Sequence, residues 1–150
     1  NISDDVTFYG PGFLSNEILY VASEIGLYSA NLIENNVSMI SNRKFRKIEV
    51  VDKNCFALNN NLWKINLNET NEEMLYVNID DFCLIEDFIW LNYNSYAELV
   101  DFKSNYNWRY SFENGIPGSH IFQIDCSDEW AWFSTNNGIA FYNWGLNHDK

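Results

Sequence analysis

The chain is short of the residues that build helices, bind nucleic acid or hold metals. Alanine, the best helix former, occurs six times in 150 residues. Lysine and arginine number nine against 21 aspartates and glutamates, a formal net charge of −12. A nucleic-acid binder needs a positive surface to displace counterions, so the charge excludes that class of partner. It argues equally against an anionic membrane surface. The one basic cluster is Arg43, Lys44, Arg46 and Lys47, and no Lys or Arg lies between Arg109 and Lys150. That cluster reads as a solvated loop or strand edge rather than an anion site. No run of 18 apolar residues is present, so no spanning helix and no membrane insertion are expected. No basic start followed by an apolar stretch is visible as a signal peptide, although the chain begins at Asn1 rather than Met.

Cysteine and histidine are also scarce. Cys55, Cys83 and Cys126 form no CxxC pair, and His120 and His148 are the only histidines. A metal site needs closer clustering, so none is expected, and no cofactor is implied. The cysteines are expected as buried free thiols, with a single disulfide as the alternative.

What the chain has in quantity points to β structure. Hydrophobic residues make up 47% and aromatics 17%, enough to bury the core of one domain. Ile, Val, Thr and the aromatics total 50 residues, which favour pleated surfaces. The 23 asparagines suit turns, because Asn tolerates left-handed backbone.

These residues repeat. Leu19–Leu32 aligns without gaps on Asn54–Leu67 at an offset of 35, and Trp90 and Trp132 continue the series at steps of 35 and 42. Each unit has one grammar. A first apolar stretch (Phe13–Ile18, Phe45–Val51, Phe82–Ile85, Ile121–Cys126) precedes a second (Leu19–Ala22, Cys55–Leu58, Phe88–Leu91, Trp130–Ser134). A turn rich in Asn or Gly leads to a third (Leu27–Leu32, Leu62–Leu67, Ala97–Phe102, Ile139–Trp144) and then to a variable fourth. Four short strands per 35 to 42 residues fit a blade of a β-propeller. Helical solenoids of similar period need a 3.6-residue pattern that is absent. A β-sandwich needs no regular echo. The expected fold is all-β: one propeller unit over residues 1–150, with four four-stranded blades at about 10–44, 45–78, 79–112 and 113–150. It is either a closed small ring, with Val6–Tyr9 clasping the last blade, or a fragment of a larger propeller.

The segment Asn107–Trp144 resembles the repeats of the two-component-regulator propeller family. Asn114-Gly115-Ile116-Pro117 stands for its turn, and Ile121 and Ile124 for its inner strand. Trp132-Phe133-Ser134-Thr135 and Asn137-Gly138-Ile139 stand for the second strand, its turn and the third strand. A weaker copy is Tyr20-Val21-Ala22-Ser23 with Gly26-Leu27-Tyr28. The resemblance implies a propeller in an exported, multi-domain protein and implies no chemistry. The Trp-Asp dipeptide of WD40 blades and the paired glycines of kelch blades are missing.

In a propeller, the loops before strand one and between strands two and three share a face that commonly binds ligands, by analogy of fold. Here that face would display Glu24, Asn60, Asn94, His120 and Asn136. Turn chemistry alone also accounts for such residues. Trp108 and Tyr110, on an outer strand, are the expected exposed aromatic pair. Asp125, Asp128 and Glu129 do not match the spacing of a calcium loop and read as a solvated turn. There is no GxSxG, no HExxH and no phosphate loop, so no enzyme is expected and no catalytic residue is assigned. The expected function is a non-catalytic binding or scaffold module holding a protein partner, in an exported or surface assembly. Its expected place is the periplasm or cell surface, with the cytoplasm as alternative. The runner-up is a small acidic inhibitor or immunity-type protein that neutralises a basic enzyme through charge complementarity. A propeller hydrolase or lyase is a third reading, with few groups to support it.

Overall fold

The structure, a computed structural model, describes Phe8 and residues 12–146. The apolar stretches become short antiparallel strands. The first sheet is β1 (Phe13–Ser15), β2 (Ile18–Ser23), β3 (Gly26–Asn31) and β4 (Asn36–Ser41). The second is β5 (Lys47–Val51), β6 (Asn54–Leu58), β7 (Asn61–Asn66) and β8 (Glu72–Val77). The third is β9 (Asp81–Ile85), β10 (Phe88–Asn92), β11 (Ala97–Asp101) and β12 (Tyr106–Tyr110). The fourth is β13 (Ile121–Cys126), β14 (Trp130–Thr135) and β15 (Gly138–Asn143). Each is a meander paired in chain order. The fourth therefore has three strands among the described residues, where four were expected. Of the Val6–Tyr9 segment, only Phe8 is described, and it makes a single antiparallel bridge to Ser23. That bridge joins Phe8 to the first sheet and not to the fourth, so at Phe8 the expected clasp of the last blade is not made; Val6, Thr7 and Tyr9 lie outside the described residues.

The repeat has a hydrogen-bonding cause. At the end of the third strand of each sheet, one short polar side chain closes the turn that follows. Asn31 Oδ1 accepts from the N–H groups of Ile33 and Glu34, both at 3.0 Å. Asn66 Oδ1 accepts from Asn68 and Glu69 at 2.9 and 3.2 Å. Asp101 Oδ1 accepts from Lys103 at 2.8 Å, and Asn143 Oδ1 from Leu146 at 3.1 Å. These positions fall at the sequence offsets of 35, 35 and 42. They are local Asx turns, in which the side chain stands in for a backbone acceptor. The Ser104 hydroxyl and the Lys103 and Ser104 amides, all donating to it, hold the Asp101 carboxyl below the ordinary carboxylate range.

The turns between second and third strands repeat a second device. Ser23 Oγ donates to Gly26 O at 2.9 Å, and Thr135 Oγ1 to Gly138 O at 2.8 Å. Gly26 has φ +152°, and a Cβ there would lie 2.4 Å from the Ser41 carbonyl, so no other residue fits without moving β4. A bulge also recurs at equivalent places. One extra residue of β4 is accommodated between Leu27 and Tyr28, and one of β8 between Leu62 and Trp63.

The chain forms two compact units, residues 1–77 and 78–150. In the first, Tyr20, Ala22 and Leu27 of the first sheet meet Ile48, Val50, Cys55, Ala57 and Ile65 of the second. Phe56, Leu58 and Leu62, on the other face of the second sheet, are buried too. In the second unit, Phe88, Trp90 and Leu99 of the third sheet share a core with Ile124, Ala131 and Phe133 of the fourth. Trp90 meets Phe133 edge to face at 5.3 Å, a geometry worth about 1 kcal/mol beyond its buried area. All five residues of β10 are buried. Burial on both faces is why these strands read as continuous apolar runs rather than alternating ones.

The cysteines do not all remain free. Cys83 of β9 and Cys126 of β13 form a disulfide with Cα atoms 6.0 Å apart. The expectation of free thiols fails there because the pair is 43 residues apart in sequence. Only the stacking of two sheets brings the first strands side by side. Cys55 is free and buried in the first core, and burial pushes its thiol up to about 12.

Two outcomes follow. Replacing Cys83 and Cys126 by serine opens a link across 43 residues. The second unit should then lose about 4 kcal/mol, read from denaturant transitions compared with the oxidised chain. Cys55 should resist alkylation in the native protein at about pH 8 and react once the first unit unfolds. Labelling followed by mass spectrometry checks this.

Candidate binding surface

Three of the expected loop residues, Asn94, His120 and Asn136, meet at one end of the second unit. Asn136, in the turn between β14 and β15, presents Oδ1 to the N–H groups of Ser119 and His120 at 3.0 and 3.1 Å. Its own N–H donates to the His120 carbonyl at 3.1 Å. The segment before β13 is thus clamped to that hairpin. Gly118 makes the approach feasible: φ is +89°, and a Cβ would stand 2.3 Å from Asn136 Oδ1. Asn94 closes the turn between β10 and β11 in left-handed backbone, φ +68°. Its N–H donates to Asn92 Oδ1 at 2.8 Å, and its carbonyl accepts from the Ile121 N–H at 2.6 Å. Asn92 is buried and donates through Nδ2 to the Ile121 carbonyl at 2.9 Å. Two hairpins and the entry to β13 are therefore fixed against one another by backbone-directed bonds. His120 remains exposed, with Nδ1 2.9 Å from Ser119 Oγ.

Beside this cluster lies an aromatic stack that sequence reasoning missed. Tyr93 and Tyr96 flank the same turn with ring centroids 4.7 Å apart and planes within 15°. The Arg109 guanidinium sits 4.1 Å over the Tyr96 ring. Glu98, directly opposite Arg109 across β11 and β12, accepts at Oε1 from Nε at 3.0 Å and Nη2 at 2.7 Å. That bond raises the guanidinium above its ordinary range. The signal was present as two tyrosines bracketing Asn94-Ser95 and an opposite-charge pair on neighbouring strands. The strand register was needed to read it.

The remaining expected residues go elsewhere. Glu24 and Asn60 lie in the first unit, in the β2–β3 and β6–β7 turns, with Glu24 half-buried and Asn60 exposed. In the Asn60 turn, Asn59 Oδ1 accepts from the Asn61 N–H at 2.9 Å, which is turn chemistry. Trp108 and Tyr110 are not an exposed pair. Both are half-buried against the second core, because alternation along β12 turns them inward. Tyr110 packs on Trp90 at 5.3 Å, and its hydroxyl lies 3.2 Å from that of Tyr142. Burial, then the Tyr142 hydrogen bond, raises its phenol well above the usual range. The two arginines of the basic cluster are held in contacts within the first unit. Arg43 pairs with Glu72 at 2.6 Å and lies over Trp63, and Arg46 donates to the Asn59 carbonyl at 2.9 Å. Among the described residues, no three His, Cys, Asp or Glu side chains converge to hold a metal ion, and no helix is long and apolar enough to cross a membrane.

No protein-family model matches the chain, and no curated protein is similar to it in sequence. Solved structures are similar in fold. The extracellular domain of a proposed one component system from B. thetaiotaomicron superposes with a TM-score of 0.75 at 15% identity. That match covers 93% of this chain and 21% of the other. The extracellular domain of a proposed hybrid two component system from the same organism gives 0.67 at 15%, covering 98% of this chain and 22% of that one. A computationally designed protein, Ika4, gives 0.67 at 8%, covering 95% and 94%. The chain spans about a fifth of the length of the two bacterial domains. The shared property is an all-β, propeller-like succession of antiparallel sheets.

Asn136→Ala removes both acceptor contacts to the Ser119–His120 segment. The loss should be about 1 kcal/mol of global stability. It should also bring a larger, local rise in amide exchange at Ser119 and His120, measured by nuclear magnetic resonance.

Proposed function

We propose that this chain is a non-catalytic binding module made of β-propeller blades, and that the hairpin end of its second unit holds a protein partner. One observation carries the reading. Asn94, His120 and Asn136 are locked into a single surface by backbone hydrogen bonds, with the Tyr93–Tyr96 stack beside them. A preformed surface costs little ordering on binding. Stacked tyrosines capped by an arginine are the residue types that dominate protein interfaces. The turns supply exposed amide groups as polar partners around that anchor.

We infer an extracytoplasmic setting on two supports. The fold resembles extracellular domains of proposed one and two component systems, and the Cys83–Cys126 disulfide is of the kind that persists in oxidising compartments.

The test is amide exchange of the chain with and without any protein that it captures from an envelope extract. Protection is expected at residues 93–96, 118–120 and 136–137. Tyr96→Ala should weaken capture by about 30-fold, the scale of an aromatic hot spot. Protection confined to other strands, or turnover of a substrate that disappears with His120→Ala, would sink the reading.

A further inference from the structure

The first and fourth sheets each have a second face that the cores described above do not use. On the first sheet, the register sets Leu14, Leu19, Ala30 and Val37 side by side in one row. Val21, Tyr28 and Met39 form the next row. These two rows carry no charged side chain, and their one polar side-chain atom is the Tyr28 hydroxyl; Ser23, next on the same face, spends its hydroxyl on the Gly26 carbonyl. Leu14, Val37 and Met39 are 61%, 52% and 54% exposed. An antiparallel sheet that meets water normally alternates apolar inward with polar outward. Apolar residues on both faces mark a surface built to be covered.

The corresponding face of the fourth sheet is different in kind. Asp125, Trp132 and Phe141 lie in one row, and Gln123, Ser134 and Ile139 in the next. Together they line an open groove of about 280 Å³. Ile139 and Phe141 are 64% and 62% exposed. The groove is apolar at its centre and carries a single carboxylate, Asp125.

We propose that these two faces bind each other between copies: the fourth-sheet face of one chain packs on the first-sheet face of the next. Three features choose this occupant. Within both units, sheets already stack through apolar faces of this chemistry. The two faces are complementary rather than alike, since aliphatic Leu14, Val37 and Met39 can fill a groove walled by Trp132 and Phe141. Pairing two fourth-sheet faces would set Asp125 against its own copy, and like charges in contact disfavour that arrangement. Against the first sheet it meets no charge. A heterologous contact of this type closes into a ring when the rotation permits and otherwise extends. The net charge of −12 opposes self-association through the surroundings of the faces, not through the faces themselves. Added salt should therefore tighten it by screening.

Analytical ultracentrifugation of the whole chain tests this, from about 1 to 100 µM. Association is expected, stronger at higher salt. Met39→Asp alone and Phe141→Asp alone should each weaken it by at least about 30-fold. A mixture of the two variants should form a dimer and nothing larger, because one intact face remains on each partner. Circular dichroism must show both variants folded. Should Met39→Asp lose the first sheet, Val37→Thr, nearly isosteric on the same edge strand, must weaken association in the same direction. A wild-type chain that stays monomeric throughout overturns the proposal. So does a single-face variant that associates as well as the wild type, which would mean like faces pair. Met39 and Phe141 are not among the residues proposed to hold the protein partner, so either proposal can fail while the other stands.

Discussion

A sheet with two apolar faces cannot be satisfied by itself, and that constraint organises this chain. A four-stranded meander of five- and six-residue strands buries one face only when another sheet covers it. The central strands carry the consequence. In β10 every side chain is buried, Asn92 included, and Asn92 is tolerated because its amide is spent on the Ile121 carbonyl and the Asn94 N–H. Each large apolar side chain buried this way contributes about 2 kcal/mol. Edge strands, by contrast, can be polar. The burial pattern of β8 is mixed throughout, and its glutamates face solvent or the Arg43 guanidinium.

Stacking alone would not set the repeat length. That is done by the short polar residue closing the third strand. Asn31, Asn66, Asp101 and Asn143 each turn the chain within three residues. After the first three the next strand starts five or six residues on, at Asn36, Glu72 and Tyr106. The side chain offers the backbone a local acceptor, so the turn forms independently of the core. This explains why an asparagine-rich chain with only seven glycines can make so many tight reversals. Among the described residues, nine non-glycine residues adopt positive φ, and five of them are asparagine.

Much of the fold was therefore legible, because both periodicities are local. The stretch Leu27–Leu32 anticipates β3, and Trp130–Ser134 anticipates β14, each within a residue or so. What stayed hidden depends on register or on contacts between sheets. The Cys83–Cys126 bond needs β9 beside β13. The inward turn of Trp108 and Tyr110 needs the phase of β12, which a variable outer strand does not advertise. The candidate site divides the same way. Asn94, His120 and Asn136 could be named from turn signals, whereas Tyr93, Tyr96 and Arg109 could not. Glu24 and Asn60 were chosen by the same signals and belong to the other unit, where the turn bonds already account for the Asn60 loop.

The distribution of charge completes the argument. Among the described acidic residues, only Asp81 and Glu98 are buried, and each is held. Asp81 accepts from the Ile124 N–H at 2.9 Å, and Glu98 accepts two bonds from Arg109. Most of the other carboxylates lie in turns and on strand edges. A buried, unpaired carboxylate would be costly, so stacking pushes charge off the faces and toward the sheet ends. The faces are left for sheets to pack against. The ends, where hairpins meet and asparagine side chains close the turns, hold the polar groups. A strongly acidic chain and a strongly apolar one are thus the same molecule seen along two directions. The strand ends are constrained by turn geometry where the faces are constrained by packing: Gly26 and Gly118 leave no room for a Cβ, and Asn136 holds the Ser119–His120 segment.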